Sequence, residues 1–478
     1  MESKVPYSNY RLTMRLEIRN RPGMLSKVVA SVTKAGAIIA GVDLVEINRK
    51  VAIRDITFDV ANVRHGYQVT TCLNKLKGVR TISVSDQIFL MHLGGKITVQ
   101  NRYPITSRNR LSMLYTPGVA RIAQAIADHP SAIHSLTVKS NSVAIVTDGS
   151  AILGLGNLGA GAALPVMEGK AMIFREFAGI NAWPICLNTQ DEDEIVRTIQ
   201  NIAPVFGAIN MEDISAPRCF RIEDRLKQVL DIPVMHDDQH GTAIVVLAAL
   251  KNALKFTKKN LSQCRILVNG LGSAGIACCR ILLAAGARHI LGCDREGVVL
   301  AEKGAKLYRH RRNLLPLIHR DKPVMSLKQA LRKADVFIGV SAGNVLEPRD
   351  LKLMNKNNIV FAMANPDPEV DPHRAVAYAR VFATGRSDFP NQINNALAFP
   401  GVFRGTLDVR AKAISEEMKL AAAEALAGLI HANQLSSEYI IPSIFDKRVV
   451  AAIAGAVSRV AIKTGLAQSQ TKLKAEPL

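Results

Sequence analysis

At 478 residues with 48% apolar side chains, the chain is long enough for two or three domains with cores of their own and too apolar to be disordered. Its net charge of +21 is spread along the chain and aromatic residues make up only 5%, which sets aside a nucleic-acid platform in favour of a basic surface that attracts anionic metabolites. The apolar run at 243–250 is too short to cross a bilayer, the first residues lack a signal peptide's apolar core, and seven cysteines without a CxxC pair predict a soluble protein of the reducing cytoplasm.

Residues 10–18 alternate as a half-buried strand. Asn20-Arg21-Pro22-Gly23 is a turn, and residues 24–32 have helical spacing that ends near Gly36. Strand-like runs at 38–47 and 51–60 flank a polar hairpin at Asn48-Arg49-Lys50. A helix over 67–76 closes at Gly78, and 79–84 is a last strand. The order βαββαβ predicts a ferredoxin-like module. Arg21-Pro22-Gly23-Met24-Leu25 resembles the ligand-binding turn of ACT domains, modules that bind amino acids or other small effectors and regulate an attached enzyme. That resemblance implies effector binding at Arg21, Pro22, Gly23, Met24 and Leu25. Gly23 would let the backbone approach a ligand, and the helix amino terminus behind it would hold a carboxylate. A plain Pro-Gly turn in a module that only dimerises is the alternative.

Residues 87–98, with Gly94-Gly95, read as a connector, 121–128 as a helix and 143–146 as a buried strand. After the turn Asp148-Gly149-Ser150, the glycines at 154, 156 and 159 are too irregular for a dinucleotide fingerprint and suit close packing and a loop that approaches substrate. Two acidic pairs then follow short apolar runs: Glu212-Asp213 after 206–209, and Asp237-Asp238 after 232–235. If the runs are neighbouring parallel strands, the carboxylates project from strand carboxyl ends, where open α/β sheets bind ligands. Carboxylates converging there need a cation, and oxygen-only ligation suits Mg²⁺ or Mn²⁺. Each pair could instead cap a helix.

A full dinucleotide fingerprint comes next: strand 265–269, the turn Gly270-Leu271-Gly272-Ser273-Ala274-Gly275, a helix over 276–285 and a second strand, 289–294, ending in Asp294. Gly270 makes the turn, Gly272 admits the pyrophosphate and Gly275 lets helix and strand pack. Asp294 accepts ribose hydroxyls and leans toward NAD, while Arg295 could meet the 2′-phosphate of NADP. Loops at 336–344, holding Ser341, and at 359–366, holding Asn365, end strands beside the cofactor. The amide-dense stretch 384–395 follows, with Asn391 and Asn394 expected to be turn residues. From Ala411 the chain reads as helices with a polar, basic tail from Gln468.

Residues 96–459 resemble the bacterial malic enzymes throughout. The likeness rests on Tyr115-Thr116-Pro117-Gly118-Val119-Ala120, Leu164-Pro165-Val166-Met167-Glu168-Gly169-Lys170, Met211-Glu212-Asp213-Ile214-Ser215, His236-Asp237-Asp238-Gln239-His240-Gly241-Thr242, the dinucleotide turn and Gln392-Ile393-Asn394-Asn395-Ala396, in that order. It implies oxidative decarboxylation of (S)-malate to pyruvate and CO₂ with NAD or NADP and Mn²⁺ or Mg²⁺, in a homo-oligomer. It also implies an ACT-like segment at 1–88, a catalytic α/β domain at 89–240, a Rossmann-type domain at 241–410 and a helical end at 411–478. By the same resemblance Lys170 is the base for the C2 hydroxyl, Tyr115 the proton donor to C3, and Asp237 the partner that orients Lys170 or a metal ligand. Glu212, Asp213 and Asp238 hold the metal, and Asn365 and Asn395 bind substrate. Larger members carry an arginine for a malate carboxylate where this chain has Ala151, leaving Asn365, Asn395 and the Gly156–Gly159 backbone as candidates for that task. A malolactic enzyme, or an effector sensor on an inactive scaffold, are the competing readings.

Overall fold

The computed structural model describes residues 10–299, 309–318 and 325–469; the tail expected from Gln468 lies, from residue 470 onward, outside them. The chain divides into two units, Met1–Thr98 and Val99–Leu478.

The first unit follows the expected order: β1 (Arg11–Arg19), α1 (Met24–Lys34), β2 (Ile38–Ile47), β3 (Val51–Asp59), α2 (Val63–Asn74) and β4 (Val79–Asp86). They form an antiparallel sheet ordered β2-β3-β1-β4. Period-two alternation along β1 buries Met14, Leu16 and Ile18 against Val28 and Val32 of α1 and Val69 and Leu73 of α2. The opposite side of the strand carries cross-strand pairs, Arg15 with Asp55 and Glu17 with Arg80. Two boundaries differ from expectation. Helix α2 starts four residues early because Asn62 caps it, accepting from His65 N–H at 2.9 Å. The connector holds a short helix, α3 (Gln87–His92), started by Asp86, whose carboxylate accepts from Ile88 N–H.

The second unit contains two sheets. Helices α4 (Arg108–Leu114), α5 (Gly118–Asp128) and α6 (Ile133–Leu136) precede a parallel sheet ordered β6-β5-β7-β8, with β5 Ser142–Thr147, β6 Asn181–Cys186, β7 Ala208–Met211 and β8 Val234–His236. Its crossovers are α7 (Ala160–Ala178), α8 (Glu192–Ile202) and α9 (Arg218–Val229). Every residue of β5 is buried, and between Ser142 and Thr147 the strand is a continuous apolar run with no alternation. Helix α10 (Asp237–Thr257) then leads to the second sheet and is buried on most of its circumference, as the mainly apolar stretch 243–250 requires.

The second sheet is ordered β11-β10-β9-β12-β13-β14, parallel except for β11. Its strands are β9 (Arg265–Asn269), β10 (His289–Asp294), β11 (Gly297–Val298), β12 (Val336–Gly339), β13 (Ile359–Ala362) and β14 (Val381–Thr384). The order reverses between β9 and β12, a switch point at the carboxyl ends of the strands. Helix α11 (Ser273–Ala284) follows β9, and α12 (Arg309–Ile318), α13 (Leu327–Leu331) and α14 (Pro372–Ala375) lie farther along. Helices α15 (Phe399–Asp408), α16 (Glu416–Ala427) and α17 (Arg448–Lys463) close the unit. No helix of the described residues is long and apolar enough to cross a membrane.

Candidate active site

Strands β7 and β8 pair in parallel register, Met211 opposite His236, so the residues just past them are brought side by side. Among the described residues, Glu212, Asp213 and Asp238 form the one carboxylate group able to hold a metal ion, with an oxygen from each inside 4.8 Å. The chain bends hard to build it. Asp213 has φ of 52°, and its backbone N–H donates to Asp238 Oδ2 at 2.9 Å. Asp213 Oδ2 is buried without a hydrogen-bond partner among the described residues. Burial, with the charges of Asp238 and Glu212, pushes the Asp213 carboxyl up to about 8, and burial raises Glu212 and Asp238 as well. An oxygen-only trio that resists ionising together, with an orphaned acceptor, fits a hard divalent cation.

Lys170 comes from the middle of α7 and is buried. Its Nζ donates to Glu212 Oε2 at 2.5 Å and to Asp237 Oδ2, and lies 4.3 Å from the centre of the Phe399 ring. Burial alone would lower its pKa, but Asp237, Glu212 and Asp238 outweigh that and hold the ammonium above its ordinary value. Burial, opposed by Lys170, brings Asp237 up to about 6. The lysine is therefore protonated while the carboxylates are uncompensated, and positive charge on the trio would push it toward the neutral base.

The loop after β5 closes over this cluster. Ala151 N–H donates to the Asp213 carbonyl at 2.9 Å, and Ser150 Oγ accepts from Ser215 N–H. A Cβ on Gly154 would stand 2.7 Å from the Asn365 carbonyl oxygen, so this loop reaches the end of β13. Asn395 lies on the other side, its Cβ 3.2 Å from the position a Cβ on Gly241 would take, one turn beyond Asp237. Asn394 is the turn residue expected, accepting from Ala396 N–H. Asn391 does more than turn the chain: its amide donates to Phe382 and Ser437 carbonyls and accepts from Ile440 N–H.

The dinucleotide turn has the shape its glycines require. Gly270 sits at φ +104°, and a Cβ on Gly275 would stand 1.8 Å from the Gly270 carbonyl oxygen. Gly272 faces open space, and α11 begins after it with no side chain capping the first N–H groups of Ser273, Ala274 and Gly275. That is a cradle a pyrophosphate fits. Ser341 Oγ accepts from Asn269 Nδ2 at 2.7 Å at the neighbouring switch point. Asp294 ends β10, its carboxylate accepting from Glu296 N–H and ion-paired with Arg311, while Arg295 is exposed.

One residue and one turn stand apart. Tyr115 ends α4 at 65% exposure, and none of the described hydrogen bonds or ion pairs joins it to Lys170. The turn Arg21-Pro22-Gly23 belongs to the first unit, where Gly23 at φ +82° has no atom within 4 Å of its missing side chain and Met24 and Leu25 open α1.

Sequence reasoning missed the supports. Buried Glu223 of α9 accepts from His236 N–H, from Gln239 and from His240, and pairs with Lys227. His240, held down to about 4 by burial and by facing Lys419, is a neutral ring that donates from Nε2 and accepts the Lys419 ammonium at Nδ1. Buried Glu369 joins two cofactor-side loops, accepting from Ser341 and Ala364 N–H groups. A buried acid on an amphipathic helix leaves no local pattern, and only the helical spacing of Glu223 and Lys227 hinted at one pair.

A carboxylate trio at the end of one parallel sheet, met by a lysine from its crossover helix, with a dinucleotide cradle on the next sheet, describes a dinucleotide-binding class of α/β protein whose acids could hold a cation. Family models narrow this. Malic enzyme, NAD binding domain, matches residues 239–462; Malic enzyme, N-terminal domain, matches 94–194 and 188–227; and the ACT domain matches 7–83. The chain belongs to the malic enzyme family and carries an ACT domain at its amino-terminal end. It is 50% identical over 457 residues to an NAD-dependent malic enzyme of Geobacillus stearothermophilus, covering 96% of this chain and 95% of that one. It is 44% identical to an NADP-dependent malic enzyme of Rhizobium meliloti, over 78% of this chain and 51% of that one. Among solved structures, a malic enzyme from Pyrococcus horikoshii aligns with a TM-score of 0.77 at 43% identity, over 81% of this chain and 92% of that one.

Proposed function

We propose that this chain oxidatively decarboxylates (S)-malate to pyruvate and CO₂, reducing NAD(P)⁺, with NAD⁺ preferred and Mn²⁺ or Mg²⁺ required. The observation that carries the reading is Lys170, buried between Glu212 and Asp237 at the rim of the carboxylate trio. Glu212, Asp213 and Asp238 would hold a divalent cation, which when bound would supply Lewis acidity for the negative charge that develops on the substrate oxygen. Lys170 takes the C2 hydroxyl proton, and Asp237 holds its Nζ in place for that transfer. Asn365 and Asn395, reached by the β5 loop and the first turns of α10, offer amides to the substrate carboxylates in place of the arginine absent at Ala151. The loop over the trio keeps bulk water from the reacting carbon.

Tyr115 would protonate C3, and its exposure implies that a second copy completes the site. Leu111, Met113 and Leu114 on α4 and Val119 and Ile122 on α5 are exposed beside it, an apolar face that a homodimer would cover. The ACT domain would regulate turnover by binding a small effector at the Arg21–Leu25 turn. Seven free cysteines suit the cytoplasm.

The test is purified protein with (S)-malate and Mn²⁺, given NAD⁺ or NADP⁺ separately, with reduced cofactor and pyruvate followed together. Equal appearance of both is expected, and Lys170→Ala should abolish it while cofactor binding persists. Lactate without reduced cofactor would mark a malolactic enzyme, and no turnover across a panel of effectors would overturn the reading.

A further inference from the structure

The glycine-rich loop after β5 has little to order it from within. Gly149, Gly154, Gly156 and Gly159 all sit at positive φ, as does Leu153 at φ 44°, and the side chains of Leu153, Leu155 and Leu158 are exposed. Such a loop loses much conformational freedom on ordering and gains little packing in exchange. It nevertheless rests directly on the carboxylate trio. Ala151 N–H donates to the Asp213 carbonyl at 2.9 Å, and Leu153 N–H approaches Asp213 Oδ1 at 3.4 Å.

One guanidinium holds it there. Arg218, the first residue of α9, has a side chain 18% exposed and reaches three segments at once. Its Nη2 is ion-paired with Asp148 Oδ2 at 2.8 Å and donates to Ser215 Oγ at 3.1 Å, and its Nη1 donates to the Gln190 carbonyl. Each contact governs a part of the loop. Asp148 Oδ1 accepts from Ser150 N–H at 3.0 Å and from the Ser150 hydroxyl at 2.5 Å, and Ser150 Oγ in turn accepts from Ser215 N–H at 2.9 Å. Those bonds fix the start of the loop against the turn that follows Asp213. Gln190 and Asn157 exchange side-chain amide hydrogen bonds at 3.0 and 3.4 Å, which fixes its far side. A planar fork with five N–H donors can span these partners, and a lysine ammonium cannot. Arg218 also compensates the Asp148 carboxylate, whose side chain has no exposed surface and whose bare charge would repel a dicarboxylate.

We infer that Arg218 is a positioning residue for malate binding. It acts through the loop, setting the shape of the backbone that lies over the trio and meets the substrate where Ala151 offers no guanidinium. The inference rests on the proposed malate reaction for only one of its two readouts. The first is hydrogen exchange of the full-length protein without malate, metal or dinucleotide, following the Ser150, Ala151, Leu158 and Gly159 amides, each hydrogen-bonded in the ordered loop. Arg218→Met should speed their exchange by about tenfold or more, the loss of hydrogen bonds to a charged group, while β5 and α7 stay protected. The second is steady-state kinetics with Mn²⁺. The same variant should raise KM for malate by about tenfold or more and leave kcat and the KM for NAD⁺ within about threefold, the pattern of lost binding shared by ground and transition states. Arg218→Lys should restore part of both effects, and Asp148→Asn should reproduce the loosening of the loop. Unchanged loop exchange in Arg218→Met, or equal rises in KM for malate and NAD⁺, would overturn the inference. If that variant does not fold, unchanged exchange in both Arg218→Lys and Asp148→Asn would do so. Exchange that follows these rules in a protein that does not oxidise malate would leave the loop's dependence on Arg218 standing and remove the malic enzyme reading instead.

Discussion

Glu223 is the residue whose loss should cost most for its distance from the chemistry. Its carboxylate is 3% exposed and accepts from His236 N–H at 3.1 Å, Gln239 Nε2 at 3.3 Å and His240 Nε2 at 3.0 Å, with Lys227 at 2.8 Å. The first three are donors at the junction of β8 and α10, where Asp237 and Asp238 start the helix. Glu223→Ala strands those buried donors, while Lys227 can turn to water. Breaking a buried charged bracket of this kind costs about 3–5 kcal/mol. For a unit as large as Val99–Leu478 that is a fall in melting temperature of roughly 4–6 °C. Glu223→Gln keeps the shape but loses the charge and should recover part of the loss. The sign with pH is also set. Burial alone would raise Glu223, but His240 and Lys227 hold it well below the ordinary carboxylate range. Its contribution is therefore fully present above the unfolded carboxylate's pKa and disappears as pH falls through the lower folded value. Calorimetry of wild type and both variants from pH 8 to pH 3 should show a gap that holds down to the ordinary glutamate value of 4.5 and narrows below it. A fall of less than about 2 °C at pH 7 would refute the reasoning, because stranded buried donors cannot be that cheap.

Two further outcomes are expected. Mn²⁺ at about a hundred times its dissociation constant should stabilise the protein by about 2.7 kcal/mol against chelator, read as a rise in melting temperature. Asp238→Asn should lose that response, and an undiminished rise would remove Asp238 from the metal ligands. Gly275→Ala places a Cβ 1.8 Å from the Gly270 carbonyl, so the cradle must deform and NAD⁺ binding should weaken by more than about tenfold. Unchanged affinity by equilibrium titration would show that the cradle is not where the dinucleotide sits.

Local order was strongly written in the chain. The βαββαβ module, the strands flanking both acidic pairs and the strand–turn–helix at Gly270 all appear, because period-two alternation, short buried runs and glycine turns act over neighbouring residues. Where boundaries moved, a capping side chain was the cause: Asn62 started an expected helix four residues early, and Asp86 started one that hydrophobic spacing had not marked. The residues around Glu212, Asp213, Asp238 and Lys170 could be singled out because each lies in a short recognisable string, and the fold brings them together.

By itself, then, the sequence determined which residues could act: the acids past two strands, the lysine in its helix, and the glycines of a tight strand-to-helix turn. Tertiary structure alone decided which of them meet. It set Lys170 against Asp237, 67 residues away, and left Tyr115 exposed on α4. It drew Lys419 to His240 across 179 residues and carried Arg311 to Asp294 on the back of a stacked histidine. Those partnerships depend on how helices pack on the sheets, and a charge gives no sign in its own neighbourhood of the opposite charge that will be folded against it.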